Sequence, residues 1–179
     1  MFIEHNGIVI RNAEKKDCEQ LAGWWNDGGV MAHAGFPLGL GITAEEIAEK
    51  LSSDSDDSGR RLMIEYNGVP AGEANYRNKG ENVAEIGIKI CDPSRQNKGL
   101  GRVILSLIIN YLFCHGYDKI ILDTNLNNKR AQHVYELLGF KKLRVNTGSW
   151  TDQLGQKQSS VDYELTKADF NDFSGGGVK

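Results

Sequence analysis

Glu85-Ile86-Gly87-Ile88-Lys89-Ile90-Cys91-Asp92-Pro93-Ser94-Arg95-Gln96-Asn97-Lys98-Gly99-Leu100-Gly101-Arg102 changes its hydrophobic period halfway along. Its first six residues alternate and are rich in isoleucine, which predicts a strand. Pro93 ends that strand, because it has no amide to give a ladder. The apolar run Val103–Phe113 that follows is too long for a strand and is closed by His115-Gly116, a helix stop signal. A strand therefore feeds a helix near 102–114 through a loop with two glycines and two cations. The first amides of a helix have no internal acceptor, and the helix dipole adds roughly half a positive charge there. Gly99 and Gly101 carry no Cβ to fend off a bulky anion, and Lys98 and Arg102 add full charges. Residues 96–102 thus form a candidate phosphate cradle. It is neither G-x-x-x-x-G-K-[ST] nor G-x-G-x-x-G, the nucleotide and dinucleotide signatures.

Size and composition narrow the setting. The 179 residues fit one domain, expected over 1–170 with a flexible tail at 171–179. A net charge of −3 argues against a general nucleic-acid or anionic-membrane binder. Cys18, Cys91 and Cys114 are scattered, with no metal-ligand spacing, so neither a disulfide framework nor a metal is expected. The N-terminus shows no signal peptide and no stretch is apolar enough to span a bilayer, which predicts a cytoplasmic protein.

Outward from the cradle, Ile8–Arg11 predicts a first strand and 13–27 a helix with Cys18, Leu21, Ala22 and Trp25 on its core stripe. Trp24 lies off that stripe, so it either lines a ligand pocket or packs. Asn26–Gly41 is a Gly-rich loop, and Thr43-Ala44-Glu45-Glu46 is a capping box opening a second helix. The acidic run Ser52–Gly59 is a solvated loop or a lure for a cationic amine. Leu62–Tyr66, Asn67-Gly68 and Val69–Tyr76 spell a hairpin, and Val83–Ile90 extends it into a meander. The helix then crosses to Lys119–Asp123, giving a parallel pair within a mixed sheet.

A second motif follows. Asn127–Phe140 predicts a capped helix with Asn128, Ala131 and Tyr135 on one face. Gln96-x-x-Gly99-x-Gly101 and Asn128-x-x-Ala131-x-x-x-Tyr135-x-x-x-Gly139-Phe140, in this order, resemble the two motifs of the GNAT superfamily of N-acetyltransferases. The resemblance covers roughly 8–166. It implies an α/β (α+β) fold with a mixed, mostly antiparallel sheet of about six to seven strands flanked by about four helices. The final strands, 142–147 and 161–166, would then flank a long polar loop.

The resemblance also implies a chemistry: transfer of an acetyl group from acetyl-coenzyme A to a primary amine in a ternary complex. The backbone of Gln96, Asn97, Lys98, Gly99, Leu100, Gly101 and Arg102 would hold the pyrophosphate. Ile88, Lys89 and Ile90 would pair with the pantetheine arm and offer an amide to the thioester oxygen, a preorganised donor for the charge that develops there. Asn128 and Arg130 would contact the cofactor. Tyr135 would face the sulfur and protonate or hydrogen-bond the departing thiolate, its alternative being a core aromatic. Glu85 would be the base, or a surface carboxylate; Glu73 on the neighbouring strand is the second candidate and a substrate contact. Trp24 and Trp150 would line the acceptor groove between the 26–42 and 146–160 loops. Trp24-Trp25-Asn26-Asp27 and Gly148–Asp152 through Val161-Asp162-Tyr163-Glu164-Leu165 look like the RimJ/RimL-type branch, whose acceptors are protein N-termini and, in related enzymes, small amines. A homodimer is possible. A non-catalytic acyl-coenzyme A module and an unrelated nucleotide or phosphate binder remain the alternatives.

Overall fold

The computed structural model describes residues 1–96 and 98–175; the expected cradle residue Asn97 and residues 176–179 lie outside the described residues. One eight-stranded sheet runs β1-β2-β3-β4-β5-β6-β8-β7. Its strands are β1 (Phe2–His5), β2 (Ile8–Asn12), β3 (Gly59–Tyr66), β4 (Val69–Asn78), β5 (Val83–Ile90), β6 (Lys119–Asn125), β7 (Lys141–Thr151) and β8 (Lys157–Thr166). Every neighbouring pair is antiparallel except β5 and β6. Five α-helices flank it among the described residues: α1 (Cys18–Trp25), α2 (Gly28–Met31), α3 (Ala44–Ser52), α4 (Leu100–Cys114) and α5 (Lys129–Leu137).

Alternation along the strands sorts the two faces. Leu62, Ile64, Ala74, Tyr76, Ala84, Ile86, Ile120, Leu122, Val161 and Tyr163 form the main core together with α4. Residues Ile104 to Ile109 are buried all the way round that helix, and Ser106 among them satisfies its hydroxyl by accepting from Phe173 N at 2.9 Å. On the opposite face, α1 and α3 close a smaller core of Leu21, Trp25, Met31, Ile47 and Met63. Past that patch the face is polar, and this is where chemistry has room.

Four expectations shift. The sheet gains β1, because Asn6-Gly7 adopts the same left-handed pair (φ 47° and 77°) as Asn67-Gly68 (φ 52° and 74°) and makes a second tight hairpin. The helix expected over 13–27 is α1 with a 3-10 turn, Lys15–Asp17, before it, and the loop expected from Asn26 contains α2, a separate turn that Asp27 starts by accepting from Gly29 N at 2.7 Å. The long 146–160 loop is mostly strand, since β7 and β8 run to Thr151 and Lys157. Part of the expected tail packs: Ser174 is buried and Phe173 sits against the core.

Candidate active site

Lys98 and Gly99 lead into α4, which begins at Leu100. Gly99 caps α4 at φ +76°, a conformation that L side chains rarely adopt, and no side chain among the described residues caps that N-terminus. By contrast, Thr43 caps α3 and Asn128 caps α5 with their side-chain oxygens. A Cβ built on Gly101 would meet nothing within 4 Å, so open space lies against the first turn of α4. Lys98, Gly99 and Arg102 also line a cavity of about 530 Å³, with Arg95 stacked on Tyr66 and Arg102 on Phe173. Uncapped amides, open space and cations together fit a diphosphate.

Beside the cradle the sheet opens. The parallel pairing of β5 with β6 holds at Val83–Lys119, Ala84–Ile120 and Glu85–Ile121 and goes no further. Residues Ile88, Lys89 and Ile90 stay paired with β4 on one side only. Alternate backbone groups of this stretch therefore face a wedge between two strands, where an extended ligand arm can satisfy them. Gln96 spans the wedge's mouth: its Nε2 donates to Ile90 O at 2.8 Å, and its Oε1 accepts from Arg130 at 2.8 Å. Asn128 spends its Oδ1 on the amide of Ala131, 3.2 Å away. Tyr135 is buried with its ring edge-on to Phe140 and Tyr163. Burial, reinforced by the charge of Asp123, pushes its phenol up to about 12, so it stays protonated.

On the polar face a cavity of about 450 Å³ lies between α1, α3 and strands β3–β5. Glu73 and Lys89 form part of its wall, with Lys89 Nζ 2.8 Å from Glu73 Oε1. Glu85 is not in that wall. It stands at the last residue of the β5–β6 pairing, held by Lys79 at 2.9 Å and approached by Arg77 at 3.8 Å. Trp25 keeps its expected place in the smaller core and also lines the cavity, whereas Trp24 is half-buried against that core and absent from the cavity wall. Trp150 is absent from the cavity wall and lies over Gly35, whose built Cβ would come within 2.5 Å of the ring. The β7–β8 turn is fastened there by Gln153, which accepts from Leu38 N and donates to Gly39 O, both at 2.9 Å. The acidic loop is largely neutralised, with Asp54 on Arg61 and Asp56 on Arg60. His33 is exposed, and Cys91 is buried with its thiol pushed up to about 12 by burial and the nearby Glu73 charge, which leaves it unreactive.

Asp123 had no signal in the sequence beyond a place in a strand. On β6 it sits two residues past the last β5–β6 pair, opposite Asp162. Arg144 holds Asp162 and Lys79 holds Glu85, but Asp123 has no ion pair among the described residues. The residue is solvent-exposed, and partial desolvation together with the charges of Glu85 and Asp162 raises its pKa above the ordinary aspartate value. An unpaired carboxylate near the wedge is suited to take a proton.

Comparison with known proteins gives the family and the fold. The model of the acetyltransferase (GNAT) family matches residues 37–140. Mycothiol acetyltransferase of Kocuria rhizophila is 31% identical over 152 residues, 78% of this chain and 48% of that protein. The Cellulomonas flavigena protein of the same name is 28% identical over 132 residues, 68% of this chain and 38% of its own length. This chain thus spans less than half of those curated relatives. Among solved structures, a probable acetyltransferase superposes with TM-score 0.81 at 22% identity, over 95% of this chain and 99% of the other. Spermidine N-acetyltransferase from Vibrio cholerae, solved with CoA and spermine, gives TM-score 0.78 at 22% identity, over 91% and 97%. These two likenesses are of fold.

Proposed function

Because the chain belongs to the acetyltransferase (GNAT) family, we propose that it moves an acetyl group from acetyl-coenzyme A to a primary amine by direct attack in a ternary complex. The observation that carries this reading is the parting of β5 from β6 after Glu85–Ile121, beside the uncapped N-terminus of α4. The diphosphate would lie on the amides of Leu100, Gly101 and Arg102, with Lys98 alongside and Gln96 and Arg130 at the wedge's mouth. The pantetheine arm would add to the open edge of β5 at Ile88–Ile90.

The amine enters from the polar face. Its ammonium form gives up one proton, the neutral nitrogen bonds to the thioester carbonyl carbon and sheds a second proton, the carbon–sulfur bond breaks, and the thiolate takes a proton. A backbone amide of β5 would hold the carbonyl oxygen as charge builds on it. Tyr135 would donate a hydrogen bond or proton to the sulfur. For the amine's proton we favour Asp123 over Glu85, since Glu85 is committed to Lys79 and Asp123 to no cation among the described residues.

The finer likeness to the RimJ/RimL-type branch rests on Trp24–Asp27 and on Gly148–Asp152 through Val161–Leu165, and the curated relatives bear another name. A second copy would join at β7, one of the sheet's two edge strands, where Leu143 and Val145 are exposed. Three free cysteines suit a reducing, cytoplasmic setting; no helix among the described residues is long and apolar enough to cross a membrane. Thermal-shift titration is the first test: coenzyme A should stabilise the protein and ATP should not. A thiol-release screen with acetyl-coenzyme A over an amine panel then tests turnover. Stabilisation by ATP alone would overturn the reading.

A further inference from the structure

The cavity on the polar face has an apolar end, formed by Trp25, Met31 and Leu40, and a charged wall. Both carboxylates in that wall are occupied: Asp54 is held by Arg61, and Glu73 by Lys89. Two of its cations are not. Lys50 makes no ion pair among the described residues. Arg77, with its side chain 66% exposed, approaches only Glu85, at 3.8 Å, and that carboxylate is already held by Lys79 at 2.9 Å.

A polyamine entering this cavity finds no uncommitted carboxylate and would have to displace Arg61 or Lys89. An anion finds Arg77 and Lys50 ready. We infer that the acceptor is an amine that carries an anionic group, a carboxylate in the simplest case, several bonds from its nitrogen. This rests on the acetyl-transfer reading, which puts the reacting nitrogen at the Glu73–Lys89 end of the cavity, beside the open edge of β5. The spacing follows from register. Arg77 lies four residues beyond Glu73 on β4, roughly 13 Å at about 3.3 Å per residue, and its long side chain reaches back over part of that. Methylenes between the two charges would lie against Trp25, Met31 and Leu40. The expected pull of the acidic 52–59 loop on a cationic amine is thereby reversed: its cavity-facing Asp54 is already neutralised.

A matched series isolates the far-end charge: 6-aminohexanoate, 6-aminohexanamide and 1,6-diaminohexane, titrated calorimetrically into the protein saturated with coenzyme A. The acid should bind at least about tenfold tighter than the diamine, with the amide between them, as a charge-assisted pair predicts. Arg77→Gln should abolish that preference and Arg77→Lys retain part of it, with coenzyme A affinity unchanged in both. A diamine that binds as tightly as the acid, or an acid that does not bind at all, overturns the inference. The two readings fail differently. If coenzyme A does not bind and no amine releases thiol, acetyl transfer itself falls; if coenzyme A binds and the acid has no advantage, only the acceptor class falls.

Discussion

Lys89 Nζ lies 2.8 Å from Glu73 Oε1 across the β4–β5 pair, and the carboxylate side chain it holds is only 4% exposed. The pair closes the inner end of the acceptor cavity with no net charge. Removing one partner of such a pair costs more than removing both, because the remaining charge has lost its water and gained nothing. Lys89→Met should therefore destabilise the fold by about 3 kcal/mol in urea titration. Adding Glu73→Leu should recover most of that loss. Additive losses in the double variant would mean that the pair is not a coupled unit.

Gly101 separates folding from coenzyme binding. Open space faces its Cβ position, so Gly101→Ala has no steric cost in the free protein. Alanine is the better helix former, by up to about 1 kcal/mol. The variant should melt at the same temperature or higher, yet raise the KM for acetyl-coenzyme A at least tenfold. A variant that is both stable and fully active would show that the anion lies elsewhere.

Asp123 ties activity to pH and stability in opposite directions. With a raised folded-state pKa, its proton is bound more tightly in the native protein than in the unfolded chain. Its ionisation therefore lowers stability as pH climbs from below the ordinary aspartate value through the raised one. Asp123→Asn should melt slightly higher than the parent at pH 7 and no differently near pH 3. As the proton acceptor, the same change should cut kcat/KM on the order of 10²-fold and remove the acidic limb of the pH–rate profile. An unchanged profile would return the role to Glu85 or to water.

Tyr135→Phe keeps the ring contacts with Phe140 and Tyr163 and removes only the hydroxyl. Melting temperature should hold while kcat drops roughly 10²-fold. Since burial keeps this phenol protonated up to about 12, any loss of activity between pH 8 and 10 belongs to another group. Unchanged turnover on a confirmed amine would reduce Tyr135 to a packing residue.

Much of this could be read from the chain because two signals are local. A change of period at Cys91–Gly101 and the Asn-Gly turns act through backbone sterics, which neighbours in sequence settle. Asn6-Gly7 is the same local signal as Asn67-Gly68, and the structure builds the same kind of turn on it. What sequence could not show depends on which strand lies beside which. Trp24 and Trp25 differ by one helical step, and only the packed sheet decides which of them reaches the cavity. Glu85 and Asp123 are both strand carboxylates; Lys79, in the turn between β4 and β5, holds the first, and no cation among the described residues holds the second. Pairing of charge is a property of the folded face, invisible along a single strand.

The short β5–β6 seam has a consequence for measurement. Only three residue pairs join the strands there, so the amides of Gly87 to Ile90 that point toward β6 lack a neighbouring strand to shield them from solvent deuterium. Those few positions should exchange quickly in the free protein, while their counterparts facing β4 exchange slowly. A bound pantetheine arm would slow the fast set and leave the slow set untouched, making one strand edge a built-in gauge of occupancy.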